Sequence, residues 1–424
     1  MLINSSKIYD FLAVIFLILV FLLSNHIYYT KFLPQLPIFI FLGFYLVLLL
    51  IFNNKFKIIT DSNIQNLLLI LVLILMLGEL KHFNLIKMLN WVVISLLLVF
   101  LWSIRSELIQ SFLKRYLILV SIILFISIAV MYGYYLEFNI YKYFSYIFHY
   151  DIYNRTLNSS SLPILHADSW INDWQPEIKK LTVIMPRIPA HFHQGSLLSA
   201  YVLFPLGISM LFSKLNSKII FFVFVMLLLS LTASVYIIFI SSIFIYLFFN
   251  LIKKFNIFII IIGILFIVVF SLLIREIGYQ VDTNTIDLPN NHLINYFLRV
   301  GSGLYRLGIL GNQVYMFFHN PLIGPIVEDY RILNEFLLGS FIFTNGIRAG
   351  ILALLLTIFI LFAITKRLFL VKTNSFRQKY GICVIYSCLL QMFLYQDFGY
   401  SSTNGIVLLS ILILFINKQS EKNI

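Results

Sequence analysis

Four arginines in this chain stand where lipid head groups would lie. Arg187, Arg299, Arg306 and Arg348 each sit close to an apolar segment. An arginine at that depth can fork two hydrogen bonds onto a phosphate, and it stays charged at any relevant pH. Arg299 and Arg306 are seven apart, so a helix would carry them on one face two turns apart. The stretch around them, Leu298 to Phe318, is broken by glycines and amphipathic enough to lie along an interface. Asn320 to Pro325 should end it, as Pro and Gly do. The plainer account is an interfacial helix whose basic side chains snorkel to lipid phosphates. Arg187 opens a similar stretch that holds His191 and His193. Two residues apart, these histidines share a face only in extended structure, which is weak spacing for a metal pair. Both suit hydrogen bonding to phosphate or sugar. No metal cluster with liganding spacing, glycine-rich phosphate loop or GxSxG turn is present in the sequence.

The elements that must position these residues are long apolar runs. Hydrophobic residues make up 61% of the 424 and charged residues only 11%, against about 25% in soluble domains. A hydrocarbon core of roughly 30 Å takes about 20 apolar residues per helix. Runs of that kind fall near 8–24, 35–53, 64–80, 86–102, 116–136, 195–213, 218–233, 234–250, 255–274, 349–365, 380–396 and 403–417. The first has no small-residue cleavage site behind it and reads as a retained span. The expectation is an all-α polytopic membrane protein with about twelve transmembrane helices and two long periplasmic loops. Its parts are helices 1–5 in 1–136, the first long loop in 137–194 and helices 6–9 in 195–274. The second long loop, with interfacial helices, takes 275–348, and helices 10–12 take 349–424.

Lys and Arg set the orientation. With the N-terminus in the cytoplasm, seventeen basic residues fall inside, from Lys7 to Lys422, and the short outer loops hold only Lys31, Lys81 and Lys87. Both termini are then cytoplasmic, and the net charge of +13 reflects topology, with no nucleic acid implied. Cys383 and Cys388 share one apolar span without CxxC spacing and read as buried hydrophobes. All eight histidines fall on the outer side, with most carboxylates, Glu335 among them. Any water-facing loop collects polar residues, so single members of that set carry little weight.

Three stretches, in order, resemble the O-antigen polymerase and ligase family of bacterial envelope enzymes. Arg187 to Leu206 resembles its loop-to-helix stretch, and Leu227 to Val235 its Leu-Thr-x-Ser-Arg turn. Arg306 with Pro321 to Gly324 is similar to its Arg…Pro-Leu-x-Gly element, after which Thr344 to Gly350 leads into a span. Val235 stands where the family usually has Arg. The His-Asn pair of the ligase branch is missing near Asn334 and Glu335, and His319-Asn320 comes too early to stand in for it. The polymerase branch is therefore the closer likeness.

The resemblance implies a glycosyltransferase in the bacterial inner membrane that polymerises undecaprenyl-diphosphate-linked oligosaccharide repeat units into O-antigen or capsular polysaccharide at the periplasmic face. No cofactor or metal is expected. Membrane lipids are expected partners, and a chain-length regulator is a further candidate. Arg187, Arg299, Arg306 and Arg348 would bind the donor diphosphate, and Glu335, His191 and His193 are the candidates for the base. Tyr- and Trp-bearing residues from Tyr141 to Trp174 suit both sugar stacking and an aromatic belt. Two alternatives stand beside this: a ligase acting on lipid A core, and a lipid-linked oligosaccharide flippase. A flippase would place charge inside its spans, whereas Asp10, Glu79 and Asp397 lie at span ends.

Overall fold

The computed structural model describes residues 13–15, 17–18, 63–81, 85–103, 106–135, 198–212, 216–230, 232–273, 303–325, 340–395 and 402–421. Among them the regular structure is all helical, with no strand. In chain order the helices are α1 (Asn63–Leu80), α2 (Leu85–Ser103), α3 (Ser106–Tyr135), α4 (Phe204–Phe212) and α5 (Ser217–Leu229). There follow α6 (Ala233–Leu247), α7 (Phe249–Leu273), α8 (Gly303–His319), α9 (Phe341–Leu370), α10 (Phe376–Leu390) and α11 (Ser402–Glu421). Single π-helical turns precede α4 at Ser199–Leu203 and follow α10 at Gln391–Tyr395.

Among the described residues, four helical stretches are long and apolar enough to cross a membrane: Asn63–Leu80, Glu107–Ala129, Phe249–Leu273 and Phe341–Leu370. The face of α7 that carries Phe258, Ile262, Leu265, Phe266 and Val269 is exposed and wholly apolar. Water would penalise such a surface, and lipid tails accept it. The expected pair of spans within 218–250 forms as two helices, α5 and α6, of 13 and 15 residues. At 1.5 Å per residue each is only about 20 Å long, short of a full hydrocarbon core. The expected spans at 8–24 and 35–53 lie outside the described residues, apart from a few helical positions in the first.

The chain divides into two compact units. One comprises Met1–Ile38, Arg105–Ile243 and Ser375–Ile385. In it α3 packs against α4 and α5, with Phe125 and Phe222 in ring contact. Helices α5 and α6 fold back on each other through Phe224 and Phe239, whose ring centres lie 4.2 Å apart. The turn between them is tied by Ser230 Oγ donating to the Leu227 carbonyl and Tyr236 donating to that of Leu228. Val235 is fully buried here. Gly207 and Gly381 let α4 and the start of α10 touch backbone to backbone, since a Cβ on Gly381 would lie 3.0 Å from the Gly207 oxygen.

The other unit comprises Phe39–Ile104, Phe244–Asn374 and Tyr386–Ile424. At its centre α9 packs on α1, α7, α8 and α11, and α2 lies against α1 and α11. Trp102 donates from its indole to Ser410, joining α2 to α11. Asn256 donates to Thr365, joining α7 to α9. Each bond satisfies a buried polar side chain in an otherwise apolar interface, where an unmet donor would be costly.

Candidate functional site

Helix α9 is broken, and the break organises the site. Ser340 caps its start, its hydroxyl accepting from the Phe343 N–H at 3.2 Å. The first segment, Phe341 to Arg348, is buried at every residue. Helical geometry then fails at Ala349 (φ −139°, ψ 16°) and Gly350 (φ 80°, ψ −168°), and the helix resumes as an apolar membrane-length segment. Residues 341–348 thus form a short helix ahead of the span, where hydropathy alone left them with the second polar segment.

The turn after α8 fits into this break. Pro321 cannot continue a helix, and Gly324 takes φ 76°. The Pro321 carbonyl accepts the Ile351 N–H at 2.7 Å, a bond freed by the break. Both positive-φ glycines are also needed for closeness. A Cβ on Gly324 would run into the Ile347 carbonyl, and one on Gly350 into that of Leu322. On α1, a Cβ on Gly78 would lie 2.5 Å from the Arg348 carbonyl oxygen. Three backbones therefore meet with glycine at each contact.

Side chains reinforce the junction. Gln313 of α8 donates to Thr344 at 3.2 Å and accepts from the Ser340 N–H at 3.1 Å, fixing α8 against the first segment of α9. Asn345 donates to Thr357 across the break at 3.1 Å. All of these are buried.

The charged groups come from α1 and α9. Glu79 is 2% exposed and Arg348 5%, with Arg348 Nε 3.7 Å from Glu79 Oε1. The guanidinium also lies 5.8 Å from the centre of the Trp91 ring on α2, within cation–π range. Lys81, just past the end of α1, donates to the Ile323 carbonyl at 2.7 Å and to the Ile347 carbonyl at 2.8 Å. It thereby caps both the glycine turn and the last turn of α9's first segment, where carbonyls lack helical partners. Burial pulls the Lys81 ammonium down to about 8, opposed by the Glu79 carboxylate. A group poised there holds a charge near neutral pH and gives it up under mildly alkaline conditions.

Of the residues the sequence singled out, Arg348 lies in this junction. Arg306 belongs to α8, two turns before Gln313. Arg187, His191, His193, Arg299 and Glu335 lie outside the described residues. The two elements Pro321 to Gly324 and Thr344 to Gly350, read separately in the sequence, pack on each other. Sequence reasoning missed Glu79, Lys81 and Trp91. The available signal was Glu79 itself, a carboxylate in the last turn of an apolar helix, which is expensive there unless paired. Cys383 and Cys388 are buried and form no disulfide. No grouping of three or more metal-capable side chains occurs among the described residues. No protein-family model, curated protein or solved structure matches the chain.

Proposed function

We propose that this protein is a glycan polymerase of the bacterial inner membrane. It joins oligosaccharide repeat units carried on undecaprenyl diphosphate into O-antigen or capsular polysaccharide, at the periplasmic face. The chain would cross the membrane about twelve times, with both termini in the cytoplasm. The observation that carries this reading is the packing of the Pro321–Gly324 turn into the broken helix at Gly350, beside Arg348. Those are two of the elements on which the family resemblance rests, and the turn follows directly on the helix that holds Arg306.

In the reaction, a hydroxyl of the acceptor repeat unit attacks the anomeric carbon of the donor glycan. The bond from that carbon to the diphosphate oxygen breaks, and undecaprenyl diphosphate leaves with the electron pair. Arg187, Arg299 and Arg306 stabilise the charge that develops on it, which needs preorganised cations more than a metal. Arg348, whose own charge is balanced by Glu79, holds the junction at the break in α9. The hydroxyl proton passes to a base, for which Glu335, His191 and His193 are the candidates. The lipid diphosphate is itself the activated leaving group, so no further energy source is required.

The test is the surface-polysaccharide profile of a deletion strain carrying the wild-type gene, Arg187→Ala or Arg306→Ala. A single repeat unit on core in the deletion strain, extended to a ladder by wild type alone, supports the polymerase. Core without any repeat points to a ligase or a flippase, and an unchanged ladder overturns the proposal.

A further inference from the structure

We propose that Lys81 is a positioning residue for the transfer reaction: its ammonium, shared between the Ile323 and Ile347 carbonyls, locks the glycine turn onto the broken helix and so fixes α8, the helix of Arg306. This rests on the polymerase reading. The geometry makes the lock specific. Ile347 lies in the last turn of a helical segment whose carbonyls the break deprives of partners, and Ile323 lies in a turn with no ladder of its own. One ammonium serves both, from a third piece of chain. Charge-assisted bonds of this kind are roughly twice as strong as neutral ones. Gln313 ties the same pairing further back along α8, and the Ile351 N–H bond to the Pro321 carbonyl adds to it, so several bonds hold α8 to α9 and Arg306 precedes them all.

The charged groups facing Lys81 among the described residues are few. Glu79 on its own helix favours the ammonium, and Arg348 on α9 is engaged with Glu79. The turn from Pro321 to Pro325 contributes carbonyls and no titratable side chain. Losing the proton at Lys81 would weaken the lock without removing it, because a neutral amine still donates. Global stability moves the other way. The unfolded chain holds this proton up to the ordinary lysine range, while the folded chain gives it up near 8. Between those values unfolding takes up a proton, so the contribution of Lys81 to stability rises with pH.

The experiment uses spheroplasts of the native strain, deleted for the chromosomal copy and carrying plasmid versions, with the cell's own lipid-linked repeat units as the probe. Chain length is read across pH, and thermal midpoints are read on the purified full chain in detergent. For wild type, extension should fall severalfold from about pH 7 to about pH 9, by less than the roughly tenfold loss of ammonium because the neutral amine still donates, while the midpoint stays level or rises. Lys81→Arg, charged throughout, should extend chains within a few-fold of wild type at neutral pH and lose the alkaline fall. Lys81→Met should extend poorly at every pH. An alkaline fall that persists in Lys81→Arg, or activity and midpoint falling together, would overturn the lock. Extension that rises with pH would do so too, since it would make the neutral amine a base. A wild-type gene that restores no ladder at any pH would remove the transfer role with the polymerase reading itself. The midpoint series would still show whether Lys81 titrates as described.

Discussion

The carboxylate of Glu79 and the guanidinium of Arg348 face each other at 3.7 Å, nearly sealed from solvent, at the point where α1 meets the break in α9. Each charge is tolerable there because of the other. Removing one partner leaves an uncompensated buried charge, which costs about 3–5 kcal/mol. Glu79→Gln and Arg348→Gln should each lower the thermal midpoint of the purified protein sharply. The double variant Glu79→Gln/Arg348→Gln should recover much of the loss, since two neutral amides can bond to each other. Strict additivity of the two losses would show that the pair is not coupled.

The glycines at the junction make a second prediction. Gly324→Ala and Gly350→Ala force a side chain into positive φ and drive a Cβ into backbone that cannot move aside. Strain at such a position costs about 1–3 kcal/mol before the clash is counted. Both variants should therefore fold poorly, judged by yield of monodisperse protein in detergent. Gly263→Ala is the control. A Cβ there would meet only the end of the Leu394 side chain at 3.3 Å, in the regular part of α7 past its kink at Phe255, and the change should be nearly silent.

The turn at Pro321 to Gly324 was readable from its residues, because Pro and Gly leave the chain few choices. The apolar helices were readable too, with α1 and α2 falling within a residue or so of where hydropathy put them. The segment Phe341 to Arg348 was not. Thr344, Asn345 and Arg348 depress its hydropathy, and in its buried place they meet Gln313, Thr357 and Glu79. Lys81 and Ile347 are 266 residues apart, and nothing in either neighbourhood points to the other. Lys81 looked like one more basic residue of an outer loop. Local pattern reports what a segment prefers by itself, whereas a buried polar residue reports its partner.

Gln313 offers a test of how α8 is held. Its amide donates to Thr344 and accepts from the Ser340 N–H, and neither contact reaches solvent. Gln313→Leu takes away the acceptor of the buried Ser340 N–H, which costs about 1–3 kcal/mol, and removes the tie to Thr344. Gln313→Glu keeps both roles while its carboxyl is protonated, the O–H donating to Thr344 and the carbonyl accepting from the Ser340 N–H, so in that form it should do less harm. Chain extension in the deletion strain should fall for Gln313→Leu even at temperatures where the protein remains folded. The physical reason is that α8 loses a side-chain tie to α9.

Arg306 decides between clamping a diphosphate and merely anchoring a helix at the interface. A snorkelling cation needs only its charge, so Arg306→Lys would be nearly neutral under the anchoring account. A bidentate phosphate contact needs the planar fork, and lysine cannot supply it. The polymerase reading expects Arg306→Lys to cut polymer yield at least about tenfold, the scale of one lost charge-assisted bond at about 1.4 kcal/mol or more. Arg306→Ala should abolish the ladder, with both variants reaching wild-type protein levels in the membrane. Full activity in Arg306→Lys would assign the residue to the lipid surface and leave the clamp to Arg187 and Arg299.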